Sequence, residues 1–491
     1  MENLKENTHK AEIYYYDIGD YLSREDKFKI IEEFGSMEKL PFTRLNPNEH
    51  GDWISLRNDR FGTWIALGDK ENKDNKNTFF VPYYSNGVKT QRDAWCYNSS
   101  LDGLKRNMKF STDFYNQQRK AFADGTIKEL DMNPSKISWT ENVMKSALKN
   151  QPIKEQGNFT EFLYRPFFKQ QGLFSRFWNE RTYSMFKIFP TTAHNNLVIC
   201  VCGVGVTKDF TCIISDTIPD LELIGKSQCF PLYWYETIEP DQNSLFGDDD
   251  AQILKHEAIS DFILERAQSK YGNKVQREDI FYYVYGILHS KSYRETFEAD
   301  LKKMLPRIPL VSDYEKFWAF SKAGRELANL HLNYETVAPC PDVTVESLEQ
   351  GLYSIQTPKS VRGDSGELMV AEGSPAKAQK DEYAYYAVEQ MKFPKKGEKG
   401  TIIYNHYHTI KNIPEKAYEY VVNGKSATEW IMKRYAVTTD KKSGITNNPN
   451  DWSFEHKKPR YILDLLLSVI NVSVQTVDIV NSLPEVDWEK E

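Results

Sequence analysis

The segment LVICVCGVGV at residues 197–206 is the feature that most limits how this chain can fold. It carries no charge and is rich in β-branched residues, which is the composition of a strand buried inside a protein. TCIISDTI and CFPLYWYE follow it at short spacing. Residues 159–237 therefore predict a β region built around a buried strand.

Helical patterns flank this β region. A helical pattern occupies about 101–123, and apolar residues recur at three- and four-residue spacing in AQILKHEAISDFILERAQSKY and FYYVYGILHSKSYRETFEADLKKML. The segment FWAFSKAGRELANLHL carries one apolar stripe. After another β stretch, TIIYNHYHTI, a long helix is predicted at about 457–480. The order predicts an α+β fold, a mixed β-rich domain with helical segments. The apolar stripe in FWAFSKAGRELANLHL consists of Phe320, Ala323, Leu327 and Leu330.

Three local signals refine this outline. Ser23 precedes two acidic residues and an apolar-periodic segment, which predicts the N-cap of a helix. Asn86-Gly87 predicts a turn that joins two extended segments. Residues 355–381 are rich in Gly, Ser, Pro and Lys, which predicts a flexible surface excursion.

Length and charge limit the class of protein. The chain has 491 residues, and domains usually contain roughly 100–200 residues, so we expect two or three packed units. The formal net charge of −7 argues against a non-specific polyanion binder, whose affinity comes mainly from counterion release. One basic face on an acidic body remains compatible with this charge, because net charge averages over surfaces that never meet a ligand.

Cysteine content and the amino terminus indicate the compartment. The six cysteines include no CxxC pair, which argues against a zinc ribbon, and so few in a long chain are typical of a reduced intracellular protein. The amino terminus lacks the apolar region of a signal peptide, and no run of about 18 apolar residues occurs. We expect a soluble cytoplasmic protein with no membrane contact.

Several sequence signatures are incomplete. The GKS segments at 225–227 and 424–426 lack the first glycine of a phosphate-binding loop, and we interpret them as turns. His406 and His408 lie two positions apart on a predicted strand, so both rings would share one face, but no third metal ligand is evident. We interpret them as half-buried strand histidines. The sequence identifies no catalytic residue and no metal site.

Six segments carry a resemblance to a known family: YRPF (164–167), QCFPLYWYE (228–236), DIFYYVYGILHSKSYRETFEADLKKMLPRIPL (279–310), FWAFSKAGRELANLHLNYE (317–335), YVVNGKSATEWIMKRY (420–435) and SGITNNPNDW (443–452). Together they resemble the C-terminal specificity region of type ISP restriction–modification enzymes, which are single-polypeptide relatives of type I systems. The resemblance covers nearly the whole chain, and its long central block is distinctive.

The resemblance implies a domain organisation. A full-length member of the family carries a nuclease, a helicase-like ATPase, an N6-adenine methyltransferase and a target recognition domain. Residues 1–125 would be a methyltransferase-tail or connector region, and residues 126–491 would be the specificity domain. The nuclease, ATPase and catalytic methyltransferase motifs are not found in this chain, which is therefore expected to be non-catalytic by itself. S-adenosylmethionine, ATP and Mg would be cofactors of the missing domains only.

The implied function is recognition of a DNA sequence. Such a module positions a target adenine for N6-methylation and controls restriction by nuclease and ATPase domains, present in the same polypeptide or in a partner chain. Its own partner would be double-stranded DNA. Two other hypotheses stay open: an active portion of the methyltransferase, and a protein-docking remnant that does not touch DNA.

The segment LYRPFFKQQGLFSRFWNER at 163–181 mixes aromatic rings with cations and contains one acid, Glu180. We predict that the rings form a packed scaffold and that the cations form a basic edge on phosphates. The alternative is internal pairing, in which Arg165 meets a buried acid. The cations predicted to bind DNA here are Arg165, Lys169, Arg176, Arg181 and Lys187.

Four further residues are candidates for DNA contact. Lys89 and Arg92 follow the predicted turn at Asn86-Gly87 and would face DNA at the junction with the methyltransferase. Asn423 and Lys425 lie in a predicted loop, where an amide group could read adenine. The alternative for Asn423 is turn formation through bonds from its side chain to the backbone.

Overall fold

The structure is a computed structural model that describes residues 11–72, 75–154, 156–238, 252–348 and 382–491. It divides into two compact units, Met1–Asp59 and Arg60–Glu491. The predicted excursion at about 355–381 lies outside the described residues.

The first unit contains a short β pair and one helix. β1 (Ile13–Tyr15) pairs antiparallel with β2 (Thr43–Leu45), and α1 (Arg24–Phe34) lies between them in sequence. The hydroxyl of Ser23 accepts a hydrogen bond from the Asp26 amide, and the Asp26 carboxylate accepts one from the Ser23 amide. This reciprocal arrangement is a capping box, and it confirms the predicted N-cap.

The second unit contains the remaining elements. Its further strands are β3 (Ile65–Ala66), β4 (Ser85–Asn86), β5 (Tyr97–Asn98), β6 (Asn158–Arg165), β7 (Phe168–Phe174), β8 (Val198–Val201), β9 (Cys212–Ser215), β10 (Ile218–Pro219), β11 (Gln228–Pro231), β12 (Tyr233–Ile238), β13 (Gln252–Glu257), β14 (Arg307–Ile308), β15 (Thr344–Ser347), β16 (Ile402–Ile403), β17 (His408–Lys411), β18 (Val421–Val422), β19 (Lys425–Ser426), β20 (Thr438–Thr439) and β21 (Thr446–Asn447).

The helices and the strands tend to occur in separate runs, as expected for an α+β fold. They are α2 (Asp59–Thr63), α3 (Asp93–Cys96), α4 (Leu101–Ala123), α5 (Glu141–Leu148), α6 (Met185–Ile188), α7 (Asp261–Tyr271), α8 (Arg277–His289), α9 (Lys291–Thr296), α10 (Glu298–Leu301), α11 (Tyr314–Leu332), α12 (Ala427–Arg434), α13 (Pro449–Glu455) and α14 (Tyr461–Asn481).

Two four-stranded sheets organise the second unit. The first has the order β10-β6-β7-β5, in which β6 and β7 form a long antiparallel hairpin and β10 runs parallel to β6. The second has the order β4-β11-β8-β9 and is antiparallel throughout. Every residue of β8, β9 and β11 is buried, which confirms the predicted buried strand in 197–206.

The predicted turn at Asn86-Gly87 is wrong. Asn86 belongs to β4 and pairs with Gln228 of β11, far along the chain. A Cβ on Gly87 would lie 2.4 Å from the carbonyl oxygen of Asp220. The glycine is therefore required by the close approach of two backbone segments, and a hairpin turn is absent at this position.

Helices α8 and α11 cross at two glycines. A Cβ on Gly324 would lie 1.9 Å from the carbonyl oxygen of Tyr282, and one on Gly286 would lie 2.2 Å from that of Phe320. The backbones can approach this closely because neither position carries a side chain. The predicted stripe on α11 faces the interior, with Leu327 fully buried, so the sequence pattern identified this helix and its face correctly.

The long terminal helix α14 is also confirmed, and it packs as a core helix. Its length and composition would allow it to cross a membrane, with a mean hydropathy of 1.6, but 67% of that apolar window is buried inside the protein. Leu463, Leu466 and Ile470 belong to the same hydrophobic cluster as Phe162 and Phe168 of the first sheet. The apolar face of α14 is thus covered by the protein itself.

Residues of the carboxyl-terminal region accept hydrogen bonds from the start of α4. The Leu101 amide donates to the Glu455 carboxylate at 3.0 Å, and the Ser100 hydroxyl donates to the same carboxylate. The Ser99 amide donates to Oδ1 of Asn447 at 2.8 Å. An acidic group at a helix N-terminus satisfies free amides and stabilises the helix dipole. Residues 60–125 accordingly lie in the same compact unit as residues 126–491.

Candidate nucleic-acid interface

Arg165 lies in the interior of the second unit. Its Nη1 donates to Oδ1 of Asp220 at 2.6 Å, and its Nη2 lies 3.5 Å from Oδ2 of Asp93. The guanidinium covers the ring of Tyr164 at 3.8 Å, and only 11% of the side chain is exposed. The structure thus matches the alternative of internal pairing. We remove Arg165 from the predicted phosphate contacts, because its charge is already compensated inside the protein.

The acid that pairs with Arg165 is almost completely buried. Burial raises the pKa of Asp220 to about 6, while the positive charge of Arg165 opposes this rise. Asp220 also accepts from the Tyr97 hydroxyl at 3.0 Å and from the Glu222 amide at 2.8 Å. A guanidinium and two further donors satisfy this carboxylate, as a buried charge requires.

Lys169 is the second predicted contact that turns inward. Its Nζ lies 3.1 Å from Glu335 and 3.4 Å from Glu161, and its side chain is 16% exposed. Burial raises the pKa of Glu161, and the neighbouring Lys169 opposes that rise. Two carboxylates around one ammonium leave no net positive charge for a phosphate, so Lys169 is also removed from the predicted set.

Arg92 is the third predicted contact in the interior. It is 5% exposed, donates to the Thr140 hydroxyl at 2.6 Å, and lies over the ring of Trp178. Burial lowers its pKa, with the nearby acid Glu180 acting in the opposite direction. A guanidinium at this depth cannot reach a phosphate on the surface. Its partners Thr140 and Trp178 lie far along the chain, so the burial of Arg92 was not visible in the local sequence.

Two other predicted cations do lie on the surface. Arg176 is exposed, with its guanidinium 3.9 Å above the ring of Phe186, which stacks on Phe174. Lys187 is exposed and lies 4.0 Å above the ring of Tyr83. Aromatic rings support these cations without neutralising them. Their contact with DNA remains a prediction.

Lys89 and Arg181 lie side by side at an isolated β-bridge. The Lys89 amide donates to the Arg181 carbonyl at 2.8 Å, and the reverse bond measures 3.0 Å. Residues directly opposite each other in such a bridge project their side chains from the same face. Within the described residues neither side chain forms an ion pair. We call Lys89, Arg176, Arg181 and Lys187 the basic edge.

Asn423 and Gly424 form the turn between β18 and β19. Their φ angles are 49° and 76°, and Val422 pairs with Lys425, which is the geometry of a two-residue hairpin of type I′. Asn423 thus lies in a turn, as its alternative interpretation proposed, and the positive φ is what places it there. Lys425 is half-exposed beside the turn. Whether either side chain contacts DNA stays a prediction.

A group of cations that the sequence reasoning missed lies next to Lys425. Lys433 and Arg434 end α12, and they belong to the segment KRYAVTTDKK. Burial first, and then the charges of Arg434 and Lys425, lower the pKa of Lys433. Burial also lowers the pKa of Arg434, with the charge of Arg165 as the next cause. Like charges are therefore gathered here. The sequence does contain a signal for this group, because the ten residues KRYAVTTDKK include four cations and one acid.

The two histidines considered as metal ligands are separated in the structure. His408 begins β17, is buried, and has Nδ1 2.8 Å from the Ser347 hydroxyl, whereas His406 is exposed in the preceding turn. The prediction that both lie on one strand face is wrong. Across the described ranges, no three His, Cys, Asp or Glu side chains come close enough to hold a metal ion.

Residues 79–465 match the family described as the type ISP C-terminal specificity domain. This match covers most of the chain, and the chain therefore belongs to that family, as its sequence segments predicted. No curated protein matches the chain.

Three solved structures, two of them of type ISP enzymes, share the fold. A nuclease-deletion mutant of the type ISP enzyme LlaGI, in complex with a DNA substrate mimic, is 34% identical and matches 98% of this chain with a TM-score of 0.76. The ATP-dependent type ISP enzyme LlaBIII, bound to DNA, is 37% identical over 97% of the chain, with a TM-score of 0.79. A DrdV–DNA complex is 26% identical over 96% of the chain, with a TM-score of 0.74.

The chain is much shorter than these relatives. It covers 40% of the LlaGI chain, 28% of the LlaBIII chain and 43% of the DrdV chain. The mixed α+β fold is that of the specificity region in these structures.

Proposed function

We propose that this chain is a DNA sequence-recognition module of a type ISP restriction–modification system. It would position a target adenine for N6-methylation and control restriction by nuclease and ATPase domains that lie outside the chain. The three similar structures, each described as a complex with DNA or a DNA mimic, support this proposal. S-adenosylmethionine, ATP and Mg would serve those other domains, and we place the protein in the cytoplasm.

The observation that carries the proposal is the basic edge of Lys89, Arg176, Arg181 and Lys187. These cations have no carboxylate partner among the described residues, although the chain carries a net charge of −7. An acidic protein that leaves a group of cations unpaired on its surface has a place for an anion. Phosphate contacts from such a group would fix the position of the duplex, while other side chains read the bases.

The division of cations into two sets supports a specific mechanism. Arg165 is paired with the buried Asp220 and Lys169 with the half-buried Glu335, and these pairs would hold the first sheet in place. Arg176 and Arg181 follow the end of β7 in sequence and stay free to bind phosphate. A rigid sheet that presents unpaired cations would hold a duplex in one orientation, which the flipping of a target adenine into a methyltransferase requires.

The test is a double substitution, Arg176→Ala with Arg181→Ala. Binding of a fluorescently labelled mixed-sequence duplex is measured by anisotropy over a series of salt concentrations. Because each lost phosphate contact lowers the dependence of log K on log salt by about one unit, we expect a shallower slope and weaker binding to all sequences.

Arg266→Ala is the matched control, since Arg266 is an exposed arginine above the ring of Phe262 in a helical part of the unit. We expect parental binding from it. A double variant that binds as tightly as the parent at every salt concentration would refute the role of the basic edge.

A further inference from the structure

A cleft of about 290 Å³ opens beside the end of α12. One wall is the hairpin of β20 and β21, and another is the first sheet, through β5, β6 and β7. Polar and aromatic side chains share its lining. They include Asp93, Tyr164, Gln170, Lys433, Arg434 and Asn447.

The two cations in this cleft have no carboxylate partner among the described residues, although Arg434 lies 5.2 Å from the ring of Trp430 and 6.0 Å from that of Tyr164. Arg434 is half-buried and forms no ion pair or hydrogen bond within the described part of the chain, and its Nε is buried without a hydrogen-bond partner. Lys433 is exposed and likewise forms no ion pair within the described ranges. A guanidinium that is partly removed from water and forms no ion pair keeps its fork of donors available, and this fork is suited to an oxyanion.

The acids that line the cleft already have partners. Asp93 accepts from the hydroxyls of Tyr164, at 2.9 Å, and of Thr90, and it lies 3.5 Å from a guanidinium nitrogen of Arg165. Asp440 accepts from the amide and the hydroxyl of Ser443 in its own turn, at 2.8 and 2.7 Å. These acids are therefore occupied, and neither pairs with Arg434 or Lys433.

A neutral donor completes the cleft. Oδ1 of Asn447 accepts from the Ser99 amide at 2.8 Å, which fixes the orientation of its side chain and leaves the amide NH2 to donate. Lys441 and Lys442 are exposed at the tip of the same hairpin. Asn447 thus offers the cleft a fixed hydrogen-bond donor, and the hairpin that forms one wall carries further positive charge.

We infer that this cleft binds a backbone phosphate of the DNA, with Arg434 as its main donor and with Lys433 and Asn447 completing the contact. The inference rests on the proposed function and adds a second phosphate-binding surface to the basic edge. A phosphodiester is the anion that a duplex presents along its whole length, and it matches the planar donor fork of arginine.

The experiment compares Arg434→Ala, Arg434→Lys and Lys433→Ala with the parent chain and with Arg266→Ala. Anisotropy of a labelled mixed-sequence duplex is followed over a salt series. Arg434→Ala is expected to weaken binding by about tenfold and to lower the salt slope by about one unit. Arg434→Lys keeps the charge and should keep the slope, while it loses part of the affinity with the fork. Lys433 is exposed, so Lys433→Ala tests the same cleft with less risk to folding than a change at the half-buried Arg434.

Circular dichroism and thermal unfolding show whether each variant is folded. Unchanged slope and affinity in both Arg434→Ala and Lys433→Ala, with a parent that binds, overturn this inference alone. The same is true if Arg266→Ala weakens binding as much as they do, because the effect would then be one of overall charge. A parent that binds no DNA at any salt concentration overturns the proposed function and this inference together.

Discussion

Arg165 and Asp220 form a buried ion pair, in which Nη1 lies 2.6 Å from Oδ1. The pair connects the end of β6 to the residue that follows β10, the strand that runs parallel to β6. Asp220 in turn lies against Gly87, so the pair stands where three backbone segments meet. A cation that the sequence offers for DNA contact is instead used to hold the sheet together. The stability and the DNA-binding roles of neighbouring arginines can therefore be separated by experiment.

Arg165→Ala is expected to destabilise the protein strongly. It leaves the carboxylate of Asp220, whose side chain is 4% exposed, without its opposite charge, and breaking a buried pair in this way costs about 3–5 kcal/mol. Urea unfolding followed by intrinsic fluorescence measures the loss. Arg176→Ala, which removes an exposed arginine of the same segment, should change the free energy of unfolding by about 1 kcal/mol or less. Equal effects of the two substitutions would contradict the division into buried and surface cations.

Acidification should weaken the fold through His331. Burial first, and then the charge of Arg294, lowers the pKa of His331 from 6.5 to about 3. The unfolded chain therefore takes up this proton first, so the stability due to His331 is complete above pH 6.5 and is lost as the pH falls towards 3. The slope of this single contribution is about 1.4 kcal/mol per pH unit.

The measurement for His331 is urea unfolding at several pH values, compared with His331→Gln. The ring of His331 contacts the hydroxyls of Tyr285, at 2.7 Å, and Thr476, at 2.9 Å, and an amide can retain bonds to both. The difference in unfolding free energy between parent and variant should shrink as the pH falls below 6.5. Parallel pH profiles of the two proteins would show that His331 does not titrate in the way described.

Gly324→Ala should disrupt the crossing of α8 and α11. Its Cβ would lie 1.9 Å from the carbonyl oxygen of Tyr282, so the helices must separate, and overpacking of this kind costs about 1–3 kcal/mol or more. Gly62→Ala is the control, because Gly62 is helical and has no atom within 4 Å of an added Cβ. Differential scanning calorimetry should show a lower melting temperature for Gly324→Ala alone. A parental melting temperature for that variant would mean that the helices are further apart.

Asn423 allows the turn and a base-reading role to be separated. Asn423→Gly keeps the positive φ of 49° accessible and should retain stability, whereas Asn423→Ala should lose about 1 kcal/mol because an alanine is strained there. Thermal unfolding of both variants gives this comparison. If Asn423→Gly keeps its stability but loses preference for one DNA sequence over others, the side-chain amide has a role beyond the turn.

Local features of this fold could be predicted from the sequence. The stripe on α11, the N-cap at Ser23 and the uncharged strand β8 each depend on residues within a few positions of one another. Hydrophobic periodicity and capping chemistry act at that range, and they were sufficient to identify these elements and the α+β class.

Pairings between distant residues could not be predicted in this way. Asp220 lies 55 positions from Arg165, and Glu335 lies 166 positions from Lys169. The local sequence does not distinguish a cation that pairs with a distant acid from a cation that lies on the surface. The error at Asn86-Gly87 has the same origin, since that glycine is needed by a strand that approaches from elsewhere in the chain.

The contact between Leu101 and Glu455 has a consequence for the order of events during synthesis. The two residues are separated by 354 positions, so the Glu455 carboxylate can reach the Leu101 amide only after α13 has been synthesised, although Ser100 already supplies a local cap. Nascent chains that stop short of α13 should therefore be cut by proteases near residue 101 more readily than chains that include it. Full protection of the start of α4 is thus expected only once α13 has emerged from the ribosome.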